Sequence, residues 1–293
     1  MEYETKEYTV ITGASSGIGY ETAKAFAARG KNLVVAARRK DCLKALRNEI
    51  LEKCPAVDVI IKPCDLSVLE NVYQFYSSLQ NLRLETWVNN AGFGNYDSVA
   101  RQDLGKIGAM IRLNVEALTI LSSLFVRDYK DVPETQLINI SSCGGYTIVP
   151  SAVTYCATKF YVSTFTEGLA WELRETGAKM RAKVLAPAAT QTEFGKRANN
   201  VDVYDYDKAF GTYHTSRQMA EFLLRLYDSD STLGIVDRET FRFDLRSPMF
   251  PYSNQSVHNQ KPEAAANESQ FYKERSKAFC PSKSACESRR FLL

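Results

Sequence analysis

Histidine is nearly absent: the 293 residues contain two, His214 and His258. A Ser-His-Asp relay or a histidine-built metal centre therefore has almost nothing to draw on, and no metal is expected. Cysteine occurs seven times, an odd number without ligand spacing, which fits reduced thiols better than a disulfide framework. No stretch of about 18 uncharged apolar residues stands out, and the polar, acidic opening M-E-Y-E-T-K-E-Y is unlike a secretory signal. A cytoplasmic protein without a membrane partner is the expectation. The net charge is only +3 and no basic stripe is present, so nucleic acid is not an expected partner either.

What is present describes an ordinary globular chain, 45% hydrophobic and 24% charged, with one sizeable core. Apolar strand-like runs at 8–12, 33–37, 57–61, 86–89, 137–140, 181–186 and 234–237 alternate with amphipathic stretches at 18–29, 41–53, 68–80, 103–129, 153–176 and 216–227. Alternation of this kind with short connections predicts an α/β fold. Its sheet is parallel and doubly wound, of Rossmann type, with helices on both faces and right-handed crossovers. The fold should occupy residues 1–251. Residues 252–293 are rich in Ser, Asn, Gln, Lys and Glu and read as a flexible tail with one short helix at 264–277.

Tyr155 and Lys159, in Y-C-A-T-K, lie one helical turn apart and project from one face. A phenol titrates near 10, and bringing it to about 7 needs roughly 4 kcal/mol of preference for the phenolate, which a neighbouring ammonium can help supply. On its own this pair is equally a decoration of a helix surface. The amino terminus argues otherwise, because the strand at 8–12 runs straight into T-G-A-S-S-G-I-G at 12–19 and then a helix. Gly13 permits the tight turn, Gly17 lets the backbone approach a pyrophosphate, and Gly19 allows close packing of helix on strand. No Gly-Lys-Ser/Thr follows, which excludes a nucleotide-hydrolysing P-loop.

With C-D-L at 64–66, N-N-A-G at 89–92, L-N-V around Asn114, N-I-S-S ending at Ser142, Y-x-x-x-K, and P-A-A-T-Q-T from Pro187, the chain resembles the single-domain short-chain dehydrogenase/reductases. The likeness runs over residues 8–195. It implies strand order 3-2-1-4-5-6-7, a nicotinamide cofactor, and a catalytic group of Asn114, Ser142, Tyr155 and Lys159. Ser141 is the neighbour of the serine so assigned; the interval from Ser142 to Tyr155 is the family's usual one. By the same resemblance Gly13, Ser15, Ser16, Gly17, Ile18 and Gly19 cradle the cofactor phosphates. Asp65 and Leu66 border its adenine, and Asn90, Ala91 and Gly92 its ribose. Pro187, Thr190 and Thr192 meet the nicotinamide carboxamide, with Tyr155 and Lys159 beside it. Pro187-Ala188 departs from the family's usual Pro-Gly, which leaves the geometry of that loop open.

At the end of the second strand, V-V-A-A-R-R puts Ala37 where relatives selective for NAD carry an acid. Arg38 and Arg39 offer guanidinium forks suited to a phosphate monoester, so NADP(H) is the expected cofactor. One arginine is alternatively a plain surface charge, Arg39 before Arg38. The resemblance then implies that Tyr155 donates a proton to a carbonyl oxygen held by Ser142 while hydride arrives from NADPH, or the reverse on an alcohol. Lys159 acidifies Tyr155 and bonds the nicotinamide ribose, and Asn114 holds a water linking Lys159 to solvent. Phe93, Cys143, Tyr146, Val149 and Phe194 are the candidate substrate residues. Tyr96 and the aromatic-rich segment 195–215 add to an aromatic wall that favours an apolar small molecule. A catalytically silent NADP-binding sensor or scaffold is the alternative function. The resemblance also implies a homodimer or homotetramer.

Overall fold

The computed structural model describes residues 6–253 and 256. Two units divide between Phe250 and Pro251, and the expected tail with its helix at 264–277 lies almost wholly outside the described residues. The first half of the fold runs β1 (Glu7–Thr12), α1 (Gly17–Ala27), β2 (Asn32–Ala37), α2 (Lys40–Lys53), β3 (Val59–Pro63), α3 (Leu69–Ser77) and β4 (Arg83–Asn89). It continues through α4 (Leu104–Ile111), α5 (Leu118–Tyr129), β5 (Gln136–Ile140), α6 (Val153–Glu175) and β6 (Arg181–Ala186). The remaining elements are β7 (Thr190–Gln191), α7 (Phe194–Asn199), α8 (Tyr206–Phe210), β8 (His214–Thr215), α9 (Ser216–Asp228), β9 (Leu233–Val236) and β10 (Phe243–Arg246).

The main sheet is ordered β3-β2-β1-β4-β5-β6-β9-β10, parallel as far as β9. This is the expected order with one addition: β10 pairs antiparallel on the β9 edge, where a short hairpin continues the sheet without a crossover. Alternation along each strand divides the core between two faces. Ile11, Leu33 and Val35 pack with Phe26, Leu46 and Leu223 from α1, α2 and α9. Val10, Val34 and Trp87 pack on the other side with Phe75, Leu121, Phe125 and Leu173 from α3, α5 and α6.

A chain of buried amides crosses the sheet on that second face. Trp87 Nε1 donates to Asn89 Oδ1 at 2.8 Å, Asn89 Nδ2 to Asn139 Oδ1 at 3.0 Å, and Asn139 Nδ2 to Thr166 Oγ1 at 2.9 Å. Each donor is satisfied, so the polar row fixes the register of β4, β5 and α6 at little desolvation cost. On the opposite face Lys183, itself buried, caps the end of α9 by donating to the carbonyls of Leu226 and Tyr227, both at 2.8 Å.

The expected helix at 103–129 is real but interrupted by a π-helical turn, Arg112–Ala117. Although not an uncharged stretch, since they carry Lys106, Arg112 and Glu116, residues 104–129 form a helical run long and apolar enough, by length and composition alone, to cross a membrane. Here it packs along the sheet, with Met110, Leu118, Leu121 and Phe125 buried, and core helices meet the same criterion. Phe125 is fully buried between Trp87 and Tyr129, ring centroids 5.7 and 4.8 Å away. Phe125→Ala should therefore lower the unfolding free energy by about 3–5 kcal/mol, measured by urea denaturation.

Candidate active site

The parallel strands end together, and the loops leaving β1, β2, β4, β5 and β6 surround one cleft of about 560 Å³. Its floor is made by the glycine turn. Gly13 and Gly17 have φ of +69° and +60°, values that L side chains rarely adopt. Space is short as well: a Cβ on Gly13 would lie 2.8 Å from the Ala91 Cα. Asn90 ties this turn to the end of β4, its Nδ2 donating to the carbonyls of Thr12 (3.0 Å) and Gly13 (3.2 Å). The amides of Asn90 and Ala91 both donate to Thr12 Oγ1 at 3.0 Å. No side chain caps the amino end of α1, so its first N–H groups face the cleft as an anion site. A cradle that a Cβ would fill, opening on free amides, fits a dinucleotide pyrophosphate.

Gly13, Ser15, Ser16, Gly17, Ile18, Asp65, Leu66, Asn90, Ala91, Gly92, Pro187, Thr190 and Thr192 all line this cleft, as do Arg38 and Arg39. Gly19 does not. It lies buried beneath the turn, where a Cβ would strike Asn90 Nδ2 and come within 2.6 Å of the Gly13 carbonyl. The two arginines divide opposite to expectation. Arg38 is exposed, whereas Arg39, at the N-cap of α2, turns back over the glycine loop and donates to Ser16 Oγ at 2.9 Å. Ala188 does not have a positive φ, so alanine is accommodated without strain in the Pro187 loop, whose carbonyl at Pro187 accepts from the Cys143 amide at 2.8 Å.

At the other end of the cleft stand Ser142, Tyr155 and Lys159. Ser142, just beyond β5, accepts from the Gly144 amide at 3.0 Å, and its hydroxyl donates to the Pro187 carbonyl at 3.5 Å. Ser141 is turned away, held by the Lys159 carbonyl (2.9 Å) and Ser163 Oγ (2.7 Å). Lys159 Nζ donates to the Ile140 carbonyl at 2.8 Å and lies 5.9 Å from the Tyr155 ring centre. Asn114 sits in the π-helical turn behind Gly92 and outside the cleft lining. Its side chain is engaged by the Phe93 amide (3.1 Å), the Phe93 carbonyl (2.9 Å) and Thr158 (3.1 Å). Asn114 thus positions the Gly92–Phe93 backbone, and Gly92 separates it from Lys159.

The expected acidification of Tyr155 does not hold for this arrangement. Burial pushes the phenol well above its ordinary value of 10, with the Ser142 hydrogen bond opposing the rise. Burial also lowers the Lys159 ammonium, to about 8. Both groups are buried, and desolvation is the largest cause of each shift. This direction favours the neutral phenol.

Tyr155 is walled by Phe194 and Tyr96, ring centroids 5.3 and 6.0 Å away. Phe93, Cys143, Val149 and Phe194 line the cleft as expected, and burial raises the Cys143 thiol, which disfavours its thiolate. Tyr146 is a correction. Beyond the Gly144-Gly145 turn it points away from the cleft, its hydroxyl donating to Glu167 Oε1 at 2.6 Å and its ring stacked on Phe250. The other Glu167 oxygen accepts from the Met249 and Phe250 amides at 2.7 and 2.9 Å.

Segment 195–215 is a folded wall containing α7 and α8, with Tyr204 packed on Gly195 and β7 paired to β8. Sequence reasoning missed Glu193, Arg197, Arg238 and Phe241, which line the cleft. The last two come from the β9–β10 turn, which carried no signal of its own.

Comparison with known proteins agrees with the geometry. Residues 7–202 match the family described as short chain dehydrogenase. The chain is 32% identical over 248 residues to Dehydrogenase/reductase SDR family member 11 of Homo sapiens, covering 81% of this chain and 94% of that one. A short-chain dehydrogenase from Sphingobium yanoikuyae in complex with NADPH superposes with a TM-score of 0.72 at 30% identity, over 78% of this chain and 87% of that one. A short chain dehydrogenase/reductase from Burkholderia phymatum in complex with NAD shares the fold, with a TM-score of 0.66 at 21% identity over 76% and 86% of the two chains.

The packing under the glycine turn is directly testable. Gly19→Ala should cost about 1–3 kcal/mol of stability by overpacking, read by urea denaturation, and should weaken adenine dinucleotide binding in fluorescence titration.

Proposed function

The chain belongs to the short-chain dehydrogenase/reductase family of oxidoreductases, and from that premise we propose that it is an NADP-dependent enzyme reducing an apolar carbonyl compound, or oxidising the corresponding alcohol, with Tyr155 as the proton donor and acceptor. The observation that carries the reading is the convergence of Ser142, Tyr155 and Lys159 at one end of a cleft whose other end is the glycine cradle. Arg38 and Arg39, with no acid at Ala37, favour the phosphorylated dinucleotide, and the relative from Sphingobium yanoikuyae is a complex with NADPH.

The nicotinamide, when bound, supplies the hydride. Gly13, Gly17 and the first amides of α1 would hold the cofactor's pyrophosphate, and Thr190 and Thr192 would meet its carboxamide. Ser142 donates a hydrogen bond to the substrate oxygen and stabilises the charge that develops there. Tyr155 gives that oxygen its proton, and the state in which burial holds the phenol, protonated, is the one reduction needs. Lys159 bonds the nicotinamide ribose and, as an ammonium, favours the phenolate left behind. Phe93, Tyr96, Val149 and Phe194 exclude water and select an apolar substrate. Assembly as a homodimer or homotetramer uses the outer sides of α4–α6, where Ile111, Val153 and Tyr161 are exposed.

Tyr155→Phe should lower kcat by about 10²–10⁴-fold while leaving the dissociation constant for NADPH within about twofold; retained turnover on a panel of ketones and aldehydes, followed by nicotinamide absorbance, would refute the role. The pH dependence has a definite sign. The group that must be charged to hold the ribose titrates at about 8, so kcat/KM for NADPH, which reports ionisations of the free enzyme, should be level below that pH and fall above it. A profile that rises through pH 8 is incompatible with Lys159 acting as the ammonium.

A further inference from the structure

Arg39 has a partner across the cleft. Its Nη1 and Nη2 donate to Glu193 Oε1 at 3.0 Å and Oε2 at 2.7 Å, while Nη2 and Nε also reach the hydroxyls of Ser16 and Ser15 at 2.9 and 3.3 Å. Arg197, one turn along α7, adds a contact to Glu193 Oε2 at 3.2 Å. The ion pair joins the end of β2 to the start of α7 over the rim of the glycine turn.

Two carboxylate oxygens forked on a guanidinium reproduce the way a phosphate monoester engages one. The side chains are 36% and 43% exposed, so a pair of this kind is weak enough to exchange partners.

We propose that Glu193 competes with a ribose 2′-phosphate for Arg39 and thereby sets how strongly the protein discriminates NADP(H) from NAD(H). The inference rests on the NADP reading above. To engage Arg39, a 2′-phosphate must displace the carboxylate and overcome repulsion from it. A ribose carrying only a 2′-hydroxyl does neither, and leaves the pair intact. Glu193 therefore acts against the phosphorylated dinucleotide, and the two arginines select it less strongly than they would alone. The exchange also reaches the chemical end of the cleft. Glu193 stands between Thr192, which packs against Gly17, and Phe194, which packs against the Tyr155 ring.

The test is isothermal titration of the full chain with NADPH, NADH, 2′,5′-ADP and 5′-AMP, in the wild type, Glu193→Gln, and Glu193→Gln combined with Arg39→Ala. Removing the competing charge should tighten NADPH and 2′,5′-ADP binding about three- to tenfold, with NADH and 5′-AMP within about twofold. That gain should vanish in the Arg39→Ala background. Unchanged affinities in Glu193→Gln, equal weakening of NADPH and NADH, or a gain that persists without Arg39 would each overturn the proposal. A wild type that prefers 2′,5′-ADP to 5′-AMP, paired with an unresponsive Glu193→Gln, sinks this inference alone. If neither protein prefers the 2′-phosphate, the inference and the cofactor reading fall together. If the preference appears only in Glu193→Gln, competition is supported and the NADP reading of the wild type fails.

Discussion

The side chain of Asn90 holds the end of β4 against the turn that follows β1, and the rest of the site is built on that tie. Without it the two central loops at the carboxyl edge have no reason to share one geometry. With it, Thr12, Gly13, Asn90 and Ala91 form a single hydrogen-bonded unit, stiff enough to leave the first amides of α1 exposed to an anion. Gly13 and Gly19 are needed for the same reason. Each faces Asn90 where a methyl group would enter the space its amide occupies.

From that unit Gly92 carries the backbone past Asn114 to the buried ammonium of Lys159, with a Cβ at Gly92 coming 3.0 Å from Asn114 Oδ1 and 3.6 Å from Lys159 Nζ. The π-helical turn matters here because it breaks the repeat of the long helix where Asn114 must face the loop after β4. Burial is what the catalytic end trades on. Sealing Tyr155 behind Phe194 and Tyr96 raises the phenol and sealing Lys159 lowers the ammonium. Both shifts disfavour charge.

The α/β alternation, the glycine turn and the Tyr-Lys pair were legible in local spacing, as apolar runs in the strands, i and i+4 on α6 and glycines where the backbone turns, whereas the sheet order and the choice of Ser142 came from the family resemblance. What escaped is decided by contacts distant in sequence. The strands β7 and β8 have two residues each and exist because the His214 amide finds the Ala189 carbonyl at 3.0 Å. Similarly, α7 and α8 are short helices fixed by Tyr204 on Gly195 and by the Gly195 amide donating to the Tyr206 hydroxyl at 3.2 Å. Tyr146 was among the candidate substrate residues. Two glycines before it reverse the chain, and Glu167, itself buried, claims the hydroxyl. The pairing of Tyr155 with Lys159 was legible, but the direction of the phenol's shift was not, since burial cannot be read from i, i+4 spacing.

The arginines after β2 show most clearly how a correct residue class can carry an incomplete function. Two guanidinium groups without a neighbouring acid read as a phosphate site, and that reading assumes no acid arrives from elsewhere. Glu193 arrives from 154 residues further along the chain, on the same loop that carries Thr190 and Thr192. The absence of a carboxylate at Ala37 is thus accompanied in space by a carboxylate from the opposite wall. Because that wall also holds Phe194 against Tyr155, electrostatics at the adenosine end and packing at the carbonyl end share one short segment, 192–194. Segment 192–194 thus touches both the glycine turn and the Tyr155 ring, whereas Arg38, exposed, lies outside it.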